Sequence, residues 1–140
     1  MAKTKIGSNA QFVGAGPSAF SVLGEHCYAY SGNVSLSTTA KNQLSFTTPK
    51  GYITAKFVFT GPASLTNPSG ERDTLFRVDF NGITVAWSHR LTGSGQLGTG
   101  ETTLNIIIPP YTTVEVLADS NGSDADYFTA VVMTGRMYDA

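Results

Sequence analysis

The chain has 140 residues, with 9 Lys and Arg against 10 Asp and Glu and a formal net charge of −1. Charged residues make up 14%, well below the usual ~25%, and Ser, Thr and Gly fill the gap. Such a chain lacks the basic field with which a general nucleic-acid binder displaces counterions, and no apolar run approaches the roughly 18 residues of a membrane span.

Residues 1–24 read as an irregular arm: isolated apolar residues among four glycines and a proline, with short strands expected at Gln11–Val13 and Phe20–Leu23. Lys3 and Lys5 have no apolar stretch behind them, so no signal peptide is expected. The sequons at Asn33 and Asn121 then read as chance. From residue 25 to 140 we expect one domain, β throughout. "EHCYAYS" sets His26, Tyr28 and Tyr30 against Cys27 and Ala29. Cys27 is the one cysteine; it forms no internal disulfide and reads as a small buried hydrophobe. "NVSLST" and "QLSFTT" follow. "YITAKFVFT" then places Ile53, Ala55, Phe57 and Phe59 on one face, and "GPASLTNPSGE" reads as a loop.

"DTLFRVDFNGITVAWSHR" carries the clearest local signal. Asn81-Gly82 favours a type I′ hairpin, because both residues accept positive φ. Uninterrupted pairing from that turn sets Phe80 opposite Ile83, Val78 opposite Val85 and Phe76 opposite Trp87. All six then lie on the core side, with His89 after Trp87. "LTGSGQLGTG" reads as a loop. In "TLNIIIPPYTTVEV", Leu104, Ile106 and Ile108 share one face and Val114 and Val116 another. Pro109 and Pro110 lack amide donors and fit a corner, read here as the tip of a hairpin. Ile107 points the other way, beside Asn105, and implies a second buried surface. The last strand, "YFTAVVMTGRMY", is apolar on both faces: Phe128, Ala130 and Val132 against Tyr127, Val131 and Met133. A strand of that kind needs cover on both sides.

No stretch keeps helical apolar spacing. The expected fold is all-β: an antiparallel β-sandwich or jelly roll of about eight strands with an irregular N-terminal arm.

Chemical motifs fail one by one. "GSGQLGTG" lacks the G-K-[ST] ending and a following helix that a phosphate cradle needs. "DSNGSDAD" gathers Asp119, Asn121, Asp124 and Asp126, oxygen ligands that suit calcium. The EF-hand pattern breaks there, with Gly122 misplaced and Ala130 where a bidentate Glu belongs. His26 and His89 form no triad or zinc spacing with a nucleophile or with Cys27, and His89 reads as a hydrogen-bonded structural residue. Glu25, Glu71, Glu101 and Glu115 form no carboxylate pair for glycoside cleavage. We therefore expect no enzyme, no catalytic residue, no cofactor and no metal. Tyr28, Tyr30, Tyr52 and Tyr111 remain as rings able to stack on sugars, the first two and Tyr111 above all.

The arm, "FRVDFNGITVAW", "NIIIPPYTTVEV" and "YFTAVVMTGRMYDA" together resemble the small jelly-roll proteins of virus particles, above all the capsid decoration (cement) proteins of tailed phages. That resemblance implies a non-enzymatic homotrimer on the capsid surface, gripping the major capsid protein and made in the host cytoplasm. On this reading Ile107, Tyr127, Val131 and Met133 form the self-contact, and Phe12, Val13 and Phe20 dock on the shell. The alternative is a carbohydrate-binding β-sandwich, or a tail or spike receptor-binding domain, with a glycan partner on the tyrosines and calcium in the 119–126 loop.

Overall fold

The computed structural model describes residues 11–13, 20–63, 72–92, 101–121 and 124–139. Eleven strands run through them: β1 Gln11–Val13, β2 Phe20–Leu23, β3 His26–Tyr30, β4 Val34–Leu36, β5 Lys41–Thr47, β6 Tyr52–Ala63, β7 Arg72–Phe80, β8 Ile83–Thr92, β9 Glu101–Ile108, β10 Thr113–Ser120 and β11 Asp124–Tyr138. Among the described residues there is no helix. The strands form two antiparallel sheets, a sandwich of jelly-roll type. One has seven strands in the order β1-β2-β3-β11-β6-β9, with β4 also on β11; the other has four, β5-β10-β7-β8. β1 and β2, from the expected arm, are thus part of the seven-stranded sheet. The loops expected at 64–71 and 93–100 lie outside the described residues.

Period-two alternation builds the core. Ile53, Ala55, Phe57 and Phe59 on β6 face Phe76 and Val78 on β7 and Val114 and Val116 on β10, all buried. Aromatic pairs tie the layers together. Phe20 stacks on Phe46 at 4.8 Å, and Phe59 meets Phe76 at 5.0 Å; contacts of this geometry add to the area effect. Cys27 sits in the same core, and burial pushes its thiol pKa up to about 12.

Three expectations need correction. First, the Asn81-Gly82 turn forms with φ of 52° and 81°, and Phe80 pairs with Ile83 and Asp79 with Thr84 as expected. The register then slips by one residue at a bulge, so Val78 pairs with Ala86, Arg77 with Trp87 and Phe76 with Ser88. A one-residue slip exchanges the faces of a strand. Small Ala86 and Ser88 turn inward, and Val85 and Trp87 are exposed at 43 and 70%. Ile83, ahead of the slip, keeps the face of Phe80 but stands at the hairpin end, 69% exposed. Ser88 Oγ lies 2.8 Å from Thr102 Oγ1 on β9, so the space between the two edge strands is spanned by a hydrogen bond and has no tryptophan in it.

Second, the Pro109-Pro110 corner is no hairpin tip. β9 pairs with β6 in one sheet, whereas β10 pairs with β5 and β7 in the other. The corner is an arch that carries the chain across the sandwich. Thr48 clamps it: its hydroxyl donates to the Pro109 carbonyl at 2.8 Å and accepts from the Thr112 amide at 2.8 Å.

Third, β11 does not turn Tyr127, Val131 and Met133 outward. All three are fully buried, with Phe57 and Phe59 as ladder neighbours of Met133 and Val131. β11 lies between β3 and β6 and presents Val132, Thr134 and Arg136 to the outside.

Candidate functional site

Two surfaces combine exposure with usable chemistry. One is the exposed apolar pair Val85 and Trp87 on β8, an edge strand of the four-stranded sheet. A bulge that re-aims side chains and an edge with open backbone groups are both positions where proteins meet partners. Beside the pair, Asp79 is buried; its Oδ1 accepts from Thr84 Oγ1 at 2.7 Å and stands 3.3 Å from Arg77 Nε as an ion pair. His89 Nε2 hydrogen-bonds Asp73 Oδ1 at the exposed end of the strand. The histidine therefore does sit in a hydrogen bond, but on the outer face and not the inner one.

The second surface is the outer face of the seven-stranded sheet. Cross-strand register lines up two rows there. Tyr28, Thr134, Lys56 and Asn105 form one, and His26, Arg136, Thr54 and Ile107 form the other, each crossing β3, β11, β6 and β9 in turn. An open groove of about 610 Å³ is lined by Thr134, Lys56 and Asn105 of the first row and by all four residues of the second; Tyr28 lies beyond it, next to Thr134. Arg136 is held by Glu25 at 2.9 Å and lies 5.6 Å from the Tyr138 ring centre. Tyr138 in turn stacks on Tyr52 at 5.1 Å. Tyr28 and Tyr30 are both exposed on this face, and Val132 lies beside Tyr30.

The self-contact set expected from the sequence is thus divided. Ile107 is exposed in the groove, while Tyr127, Val131 and Met133 are inside the sandwich and cannot meet a second copy. The docking set is divided as well: Phe20 is fully buried against Phe46 and is not a docking residue. Phe12 and Val13 belong to β1, paired with Ser21 and Phe20 of β2; their side chains lie outside the described residues. Tyr28 and Tyr30 are neighbours, but Tyr111 is far off in the cross-sheet arch, exposed with φ of 54°. In the proposed calcium loop, Asn121 Oδ1 accepts from the Asp73 amide at 3.1 Å. Gly122, Ser123 and the side chains of 124–126 lie outside the described residues, and no group of three metal-ligating side chains occurs among the described ones. Sequence reading missed Lys56, Asn105 and Thr134. Their signal is that they are the outward, polar members of strands β6, β9 and β11.

No family model matches the chain, and no curated protein does. Solved structures with some likeness include the infectious bursal disease virus VP2 subviral particle at 15% identity and TM-score 0.35, covering 80% of this chain. The chain spans only 30% of that protein's length. A xylan-binding module, CBM15, aligns over 96% of this chain and 95% of its own at 15% identity and TM-score 0.37. A family 35 carbohydrate binding module from Clostridium thermocellum aligns over 94% of this chain and 88% of its own, at 16% identity and TM-score 0.34. Likenesses at these TM-scores carry nothing about function.

Proposed function

We propose that the chain is a non-enzymatic structural protein of a virus particle, a capsid decoration protein that associates as a trimer and stabilises the shell. The virion setting rests on the resemblance of the sequence to jelly-roll virion proteins. One observation of the fold supports the assembly role: Val85 and Trp87 are exposed on the outer face of an edge strand, and Ile83 is exposed at its hairpin end. Contiguous exposed apolar residues mark contact surfaces, and tryptophan is enriched among the residues that dominate interface energies. These residues take the place of Tyr127, Val131 and Met133 as the self-contact. Sedimentation velocity at micromolar concentration tests this: a trimer is expected, and Trp87→Ser dissociates it. A wild-type monomer refutes the assembly role.

A second reading, a carbohydrate-binding or receptor-binding β-sandwich, is favoured by the other sheet. Tyr28 and Tyr30 offer exposed rings beside a row of polar side chains. A glycan array run with and without EDTA tests it. Reproducible binding supports this reading, calcium dependence adds the 119–126 loop to it, and silence on the array sinks it.

A further inference from the structure

We propose that the outer face of the seven-stranded sheet takes a carboxylated saccharide, with its carboxylate at Lys56 in the groove and a sugar ring against Tyr28, just beyond the groove's end. This rests on the second reading above and names its ligand class. Tyr28, Thr134, Lys56 and Asn105 follow one another across four adjacent strands. At about 4.8 Å between strands the row extends roughly 14 Å, with Thr134, Lys56 and Asn105 lining the open groove and Tyr28 at its end.

The composition of the row defines the ligand. Among the described residues, the Lys56 ammonium, the Asn105 amide and the Thr134 hydroxyl are exposed with no intramolecular partner, whereas the neighbouring cation Arg136 is already engaged by Glu25. The row therefore offers one uncommitted permanent positive charge, neutral hydrogen-bonding groups beside it, and one aromatic ring. A sugar with several hydroxyls and a single carboxylate matches that set. A nucleic acid does not, because a polyanion needs several cations to release its counterions, and the four residues of the row hold one. An apolar peptide does not, because three of the four residues are polar.

The test is an array carrying trigalacturonate, trimannuronate and 3′-sialyllactose, with their methyl esters and with lactose, followed by calorimetry on any hit. At least one acid is expected to bind, with affinity falling about tenfold on esterification and similarly in Lys56→Gln, as befits loss of one charge-assisted hydrogen bond. Lys56→Arg retains binding, Tyr28→Ala loses it, and Lys50→Gln, a lysine remote from the row, leaves it unchanged. Binding of acids and esters alike overturns the charged site while leaving the carbohydrate reading standing. Acid binding that survives both Lys56→Gln and Tyr28→Ala places the ligand elsewhere and overturns this inference alone. Silence of every acid with a response to lactose overturns the inference only; silence of all probes overturns both.

Discussion

Trp87→Ala separates the observed β8 from the strand that uninterrupted pairing would give. Trp87 is 70% exposed, so only about 30% of its surface is covered. For an aromatic residue of ~200 Å², that is ~60 Å² lost, or at most ~1.5 kcal/mol at ~25 cal/mol per Å². Phe76, opposite it under the uninterrupted register, is fully buried, and Phe→Ala at such a site costs ~3–5 kcal/mol. Urea denaturation followed by far-ultraviolet circular dichroism compares the two variants, at protein concentrations low enough that association does not add to stability. Trp87→Ala is expected to lose about 1.5 kcal/mol or less and Phe76→Ala at least twice as much. Because the chain has one tryptophan, acrylamide quenching of wild-type fluorescence reads Trp87 alone and is expected to be efficient in the monomer. A loss of 3 kcal/mol or more in Trp87→Ala, a core-level cost, or a shielded indole in the monomer, would refute the bulge.

Three further outcomes follow from the fold. Thr48→Val removes the hydroxyl that serves both the Pro109 carbonyl and the Thr112 amide; chemical denaturation should show a loss of ~1–3 kcal/mol, with Thr48→Ser much milder. At Gly135 a Cβ would stand 2.7 Å from Ile53 Cγ2 and 2.8 Å from the Thr54 carbonyl oxygen, so Gly135→Ala should lower stability by ~1–3 kcal/mol through overpacking, and an unchanged midpoint would contradict the close β11–β6 approach. Cys27, with its thiol pKa raised to about 12 by burial, should resist a thiol reagent at pH 8 until the chain is unfolded. The same shift makes the folded state hold its proton while the unfolded thiol ionises. The Cys27 contribution to stability is therefore whole below pH ~9 and declines as pH rises toward 12, a slope that Cys27→Ala should lack.

Much of the architecture was legible in the residues. Alternation fixed the inward set Ile53, Ala55, Phe57 and Phe59, and the Asn81-Gly82 turn gave the hairpin and its first two pairs. The slip beyond them was not legible, because hydrophobicity alone puts Val85 and Trp87 inside and leaves Ala86 and Ser88 outside. The real arrangement depends on the edge strand lying close to β9, a non-local contact made through Ser88 and Thr102. The prolines marked a corner, but a corner within one sheet and an arch between two require the same absence of amide donors. On β11 both faces are apolar, so parity was readable and the side facing the core was not. The candidate groove arises from register across four strands that are distant in sequence, and no local motif announces it.

The central claim is that β8 carries the contact between copies, and sedimentation equilibrium of wild type, Trp87→Ser and Val85→Ser across the micromolar range tests it most directly. The wild type should fit a trimer, and each variant should shift toward monomer with its folded circular dichroism spectrum intact. A wild type that stays monomeric throughout, or a trimer indifferent to both substitutions, would contradict it.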